Sequence, residues 1–143
     1  MKFFLDTNIL LDFLLERQPF HFEANQIFDC LDKKQITLYT SSHSIATTHY
    51  FCKKENDEWS IRNSLSDLID SVKVIGIDEE ILRKSLKSHH RDFQDAIQIF
   101  CAHQIRKLDG IITRNLRDFS TSEISVFSPD EALRYIKNKL ETN

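Results

Sequence analysis

A chain of 143 residues, mixing charged and apolar residues in ordinary proportion, suits one domain built around one core. It holds only two glycines and two prolines, which argues against a disordered, collagen-like or many-turned β-sandwich chain and favours long helices. A formal net charge of −3 excludes an overall basic character, so any nucleic-acid contact has to rest on local patches.

No apolar run approaches the roughly 20 residues of a bilayer-spanning helix. Met1 to Leu5 meets Asp6 too early to serve as the apolar region of a signal peptide. The expectation is a cytoplasmic protein with no membrane partner. The three cysteines, Cys30, Cys52 and Cys101, lie far apart among apolar residues, without disulfide or zinc-type spacing. They read as buried free thiols.

In chain order, Lys2 to Leu5 is a short apolar strand, and a helix follows from Asn8 through Glu16. After Pro19 a second helix places Ala24, Ile27, Phe28 and Leu31 on one face. Ile36 to Thr40 reads as a strand, and Ser41 or Ser42 caps a helix running to about Lys54. Ile61, Leu65, Leu68, Ile69 and Val72 form the apolar stripe of the next helix, and Val72 to Ile77 a buried strand. Asp78 caps a helix holding Ile81, Leu82 and Leu86.

Asp92 opens the most strongly patterned helix, with Phe93, Ala96, Ile97, Phe100, Cys101, Ile105 and Leu108 on one face and Ile99 and Ala102 on the other. Such a helix is covered on most sides. Asp109-Gly110 ends it, Ile111 to Thr113 is a short strand, and Ser125 to Phe127 another. Ser128-Pro129-Asp130-Glu131 then starts the last helix, with Ser at the cap, Pro in the first turn and Glu three residues on. Strands separated by helices imply crossover connections. The expected fold is therefore α/β: a mostly parallel sheet of four to five strands with helices on both faces.

In such sheets ligands bind outside the carboxyl ends of the strands. Asp6 follows the first strand, Asp92 and Asp95 share the first turn of the covered helix, and Asp118 lies beyond the strand Ile111 to Thr113. Any one of them alone reads as a cap or turn residue. Together in one cleft they would repel and raise each other's pKa, which a fold tolerates best around a cation. Oxygen ligands without Cys/His pairs suit Mg²⁺ or Mn²⁺ and phosphoryl chemistry rather than zinc hydrolysis. No Gly-rich phosphate loop, G-x-S-x-G elbow or H-E-x-x-H array occurs. His43 reads as a packing or surface residue. Arg83, Lys84, Lys87, His89, His90 and Arg91 precede the acidic pair, and Arg114 and Arg117 flank Asn115. The run 83–91 alone reads as a solvated face; beside a metal site, Arg91, Arg114 and Arg117 are candidates for phosphate contact.

Phe4-Leu5-Asp6-Thr7-Asn8-Ile9-Leu10 resembles the opening motif of PIN domains, including the VapC-like toxins of bacterial toxin–antitoxin systems. Asp92-Phe93-Gln94-Asp95-Ala96 looks like their acidic helix motif, and Ile112 to Phe119 like their closing motif. The tail through Val126, Ser128-Pro129 and Glu131 is similar to small stand-alone bacterial members. The resemblance spans essentially the whole chain. It implies a three-layer α/β/α fold, metal-dependent ribonuclease activity, commonly as a homodimer, and an antitoxin protein as a possible partner. Carried over by position, Asp6, Asp95 and Asp118 would hold Mg²⁺ or Mn²⁺, with Asp92 a neighbouring ligand. Asn115 stands where many relatives have an aspartate. Asn8 and Thr113 would orient the acidic side chains. Thr47 falls where many relatives carry a glutamate, and a neutral hydroxyl cannot replace an anionic ligand. A second reading therefore stays open, a catalytically weak RNA-binding or partner-binding module, and a third is another metal-dependent phosphohydrolase on a similar sheet.

Overall fold

The computed structural model describes residues 1–142. Its strands are β1 (Lys2–Leu5), β2 (Thr37–Ser41), β3 (Lys73–Ile75), β4 (Gly110–Ile112) and β5 (Val126–Phe127). The helices are α1 (Thr7–Leu14), α2 (His21–Asp32), α3 (Ser42–Cys52), α4 (Glu58–Ser71), α5 (Glu79–Lys87), α6 (Phe93–Ala102) and α7 (Pro129–Glu141), with a 3-10 turn at Leu116–Phe119. The five strands form one sheet in the order β3-β2-β1-β4-β5, and every pairing is parallel.

β1 is the central strand because it can bury both faces. Phe3, Phe4 and Leu5 are wholly buried, and successive side chains alternate across the sheet. Phe3 and Leu5 join the core formed with α1, α2, α4 and α7. Phe4 joins Ile81 of α5 and Ile97, Ile99 and Cys101 of α6 on the opposite face. The result is the expected α/β/α sandwich. Helix starts follow side-chain chemistry: Ser41, Asp57, Asp78 and Asp92 each accept a backbone N–H at the head of α3, α4, α5 and α6. Ser128 and Glu131 complete a reciprocal capping box at α7. The three cysteines are free; Cys52 and Cys101 are buried, and Cys30 is half-buried. No described helix is long and apolar enough to cross a membrane.

One helix ends earlier than its periodicity predicts. The apolar face of α6 extends on paper to Ile105 and Leu108, yet the α-helix stops at Ala102. Ile105 N–H instead donates to the Ala102 carbonyl at 3.1 Å, and Lys107 takes a positive φ of 57°. The cause lies in the sheet: β4 must run parallel to β1, so the chain has to return to the amino end of β1. There Asp109 N–H donates to the Lys2 carbonyl at 2.8 Å, and the Asp109 carboxylate accepts from Lys2 N–H at 2.8 Å. β4 begins at Gly110, one residue before the expected strand. A Cβ there would crowd the Phe127 ring and stand 2.8 Å from the Ser125 carbonyl, so any larger residue forces these neighbours to shift.

Candidate metal centre

Leu5 pairs with Ile112 across β1 and β4, so the residues that follow them meet at the carboxyl edge of the sheet. The strand order changes direction here, since β1 connects onward to β2 on one side while β4 lies on the other. Crevices at such a point bind ligands in α/β sheets.

Asp6 is fixed from several directions. Its backbone N–H donates to the Ile112 carbonyl at 3.0 Å, and its side chain caps α1 by accepting Thr7 N–H at 2.8 Å. Gln98 Nε2 donates to the same oxygen at 3.4 Å, and the other carboxylate oxygen accepts the buried Thr113 hydroxyl at 2.8 Å. The residue is only 6% exposed. Burial raises its pKa above the ordinary carboxylate value; the hydrogen bonds from Thr113, Thr7 and Gln98 oppose the rise, and the Asp118 charge adds to it.

Asp95 lies in the first turn of α6, half-buried. Its pKa is pushed up to about 7, first by burial and then by the charges of Asp92, Asp6 and Asp118. Asp92 caps α6, accepting Asp95 N–H at 2.9 Å, so one of its oxygens is occupied. Asp118 is exposed on the 3-10 turn, where its N–H bonds to the Asn115 carbonyl at 3.0 Å. Among the described residues no lysine, arginine or histidine forms an ion pair with Asp6, Asp92, Asp95 or Asp118.

Asp95 stands between two adjoining recesses. One, about 220 Å³, is lined by Asp6, Asn8, Thr47, Asp95, Gln98 and Asn115 among others. The other, about 410 Å³, holds Arg91, Asp92, Asp95, Arg117, Asp118 and Thr121. Among the described residues no three acidic, histidine or cysteine side chains form a ready-made cage for an ion. The donor set nevertheless fits a hard divalent cation. It offers carboxylate, amide and hydroxyl oxygens, and its mutually repelling carboxylates form no ion pair among the described residues.

The remaining predicted residues fall around this centre in distinct ways. Asn8 Nδ2 donates to Thr113 Oγ1 at 3.4 Å, and Asn115 N–H donates to the same hydroxyl at 3.0 Å. Thr47 is half-buried on the cleft wall, and His43 lines the cleft with its Nε2 3.4 Å from Gln94 Oε1. Arg91 and Arg117 are exposed at the rim. Arg114 has a different task from the phosphate contact its position suggests. Its guanidinium makes two contacts with the buried Asp12, at 2.6 and 3.2 Å, and packs 3.7 Å from the Phe20 ring centroid. Asp12 also accepts Arg17 Nε at 2.9 Å. The guanidinium is therefore committed to clamping the 113–118 segment onto α1.

Sequence reasoning missed Gln98 and its partners. Gln98 is buried and accepts the Ser41 hydroxyl at 2.5 Å, donates to Ser44 Oγ at 2.6 Å, and reaches Asp6. Thr7 and Ser44 share a further hydrogen bond at 2.8 Å. The available signal was an amide one turn beyond Asp95 in an otherwise apolar stretch of helix.

Taken together, the chain is an α/β/α sandwich with an acidic crevice at the carboxyl edge of its parallel sheet. The PIN domain family profile matches residues 2–117, and the chain belongs to that family. It is 23% identical over 137 residues to "Ribonuclease VapC1" of Aquifex aeolicus (strain VF5), covering 91% of this chain and 92% of that protein. Among solved structures it is similar to a toxin–antitoxin complex from Klebsiella pneumoniae, with TM-score 0.61, 27% identity, and coverage of 88% of this chain and 96% of the other. VapBC2 from Rickettsia felis, bound to a DNA fragment from its promoter, superposes with TM-score 0.63 at 16% identity over 90% of this chain and 98% of the other. FitAB bound to a DNA fragment does so with TM-score 0.67 at 18% identity over 89% and 94%. The last two support the fold alone.

Proposed function

We propose that this protein is a metal-dependent endoribonuclease and the toxin of a toxin–antitoxin pair, acting in the cytoplasm as a homodimer. The observation that carries the reading is the group of carboxylates Asp6, Asp95 and Asp118 near the carboxyl edge of β1 and β4, without an ion pair among the described residues and with the Asp95 pKa pushed up to about 7. The relative named as a ribonuclease and the toxin–antitoxin complex similar to this chain point the same way.

Asp6, Asp95 and Asp118 would hold Mg²⁺ or Mn²⁺, with Asp92 offering its second oxygen. An ion held there would supply Lewis-acid polarisation of a phosphodiester and activation of a water for attack at phosphorus. The rest falls to the chain itself. Thr113 orients the Asp6 carboxylate through its 2.8 Å hydrogen bond, and Asn8 and Asn115 hold Thr113 in turn. Arg91 and Arg117, at the rim beside Asp92 and Asp118, would take phosphates on either side of the cut bond.

Purified protein supplied with Mn²⁺ is expected to cleave single-stranded RNA, with Asp6→Asn and Asp95→Asn abolishing cleavage; undiminished activity in both variants would sink the mechanism. The Thr47 hydroxyl on the cleft wall favours a second reading, a site whose catalysis is weak. Thr47→Glu adds a carboxylate to the same recess. A large gain in Mn²⁺ affinity and cleavage would assign the natural chain to that reading, and no gain would dismiss it.

A further inference from the structure

The recess beside Asp6 and Asp95 has apolar walls that have no part in holding an ion, Leu11 and Phe51. Leu11 is a buried core residue, whereas Phe51, near the end of α3, leaves 42% of its surface exposed at the mouth of the cleft. An aromatic ring this open forgoes hydrophobic free energy unless something covers it. Beside it Tyr50, 53% exposed, meets the Phe51 ring edge-on, with centroids 5.4 Å apart and planes at 82°. Two cations stand over these rings. Lys54 Nζ lies 4.9 Å from the Phe51 centroid and 5.0 Å from that of Tyr50, and Lys53 Nζ lies 5.4 Å from Tyr50. Neither lysine forms an ion pair with a carboxylate among the described residues. The carbonyl end of α3 accounts for a nearby cation. It does not account for two open rings interleaved with two unpaired ammonium groups.

The geometry points to Phe51 and Tyr50 as a stacking ledge for the bases of a single-stranded RNA entering the acidic cleft, with Lys53 and Lys54 taking its phosphates. This rests on the ribonuclease reading, and it supplies what the acidic centre lacks. Four carboxylates repel a polyanion, and with Arg114 committed to Asp12 the rim beside them keeps Arg91 and Arg117. Aromatic faces bind bases of any sequence, and flanking lysines track the backbone. The unpaired positive charge selects a polyanionic strand over a neutral apolar protein segment.

The test uses the full chain carrying Asp95→Asn, so that RNA is bound without being cut, and a short single-stranded oligoribonucleotide containing 2-aminopurine. Phe51→Leu is expected to weaken binding roughly 5- to 150-fold, the range for one lost base–aromatic stack of about 1–3 kcal/mol, and to relieve quenching of the 2-aminopurine. Phe51→Trp should restore both. The double change Lys53→Gln, Lys54→Gln should lower the slope of log affinity against log salt by about 1.4. Unchanged affinity and quenching in Phe51→Leu would overturn the proposal. So would a Phe51→Leu chain that binds RNA normally but no longer holds a protein co-expressed from the neighbouring gene, which would give the ledge to that protein. If the unaltered chain with Mn²⁺ cuts no RNA while binding still depends on Phe51, the ledge stands and the nuclease reading falls. If it cuts RNA and all these variants bind like the parent, the ledge alone falls.

Discussion

Replacing Asp95 by asparagine removes one negative charge from the crevice while keeping the side chain's shape. A carboxyl raised from 3.8 to about 7 favours its protonated form in the folded state. Such a group binds more protons folded than unfolded between these values, so its ionisation erodes stability as pH rises through that window, fully so above about pH 7. The full shift would correspond to roughly 4 kcal/mol. Asp95 is half-buried, so screening by water cuts this to about 1–2 kcal/mol. Its place in the first turn of α6 returns about 0.3–1 kcal/mol through the helix dipole. The expected net outcome is a metal-free Asp95→Asn protein about 1 kcal/mol more stable than the parent at pH 8, the gain shrinking steadily as pH falls from about 7 towards 4. Mn²⁺ reverses the order, because a ligand binding only the folded state stabilises by about 2.7 kcal/mol at a hundred times its dissociation constant. The parent should gain that and the variant little of it. Urea denaturation at pH 5 and pH 8, with and without Mn²⁺, reads all four quantities. A variant less stable than the parent at pH 8 without metal, or equally stabilised by Mn²⁺, would refute the reasoning.

Arg114→Ala should cost about 2 kcal/mol in urea denaturation, because a partner of the buried Asp12 is lost while Arg17 keeps one contact. Arg117→Ala should change stability by less than about 0.5 kcal/mol and instead lower the salt slope of RNA binding by about 0.7; an equal loss of slope in both variants would place Arg114 among the phosphate contacts. Gln98→Leu leaves the buried Ser41 and Ser44 hydroxyls short of a partner and takes a donor from Asp6. It should destabilise by about 2 kcal/mol and weaken Mn²⁺ binding about 10- to 100-fold by calorimetry. Gly110→Ala pushes a methyl group into the Phe127 ring and the Ser125 carbonyl, and a fall in the urea midpoint equivalent to about 1–3 kcal/mol is expected.

The places of Asp6, Asp92 and Asp95 in the fold were legible from the elements beside them. Asp6 follows an apolar run that can only be a buried strand, and Asp92 and Asp95 precede a helix whose apolar residues cover most of its circumference. Caps were legible for the same reason, since Ser41, Asp78 and Ser128 satisfy N–H groups within three residues. The end of α6 was not legible. Ile105 keeps the helical spacing and is buried, but by the other side of a turn.

Arg114 shows the limit most clearly. In the sequence it is one of two arginines flanking Asn115, indistinguishable from Arg117 in charge and setting. Only the folded chain brings Asp12, 102 residues away, against one of them and leaves the other at the rim. The same holds for Gln98, whose partners Ser41 and Ser44 come from another strand and helix. Strand and helix periods, caps and the order of the acidic motifs depend on neighbours a few residues apart, and the sequence alone determined those. Which charges are paired, which are left facing one another around Asp95, and which aromatic rings stay open at the cleft depend on contacts between distant segments, and these were decided only when the sheet set β1 beside β4.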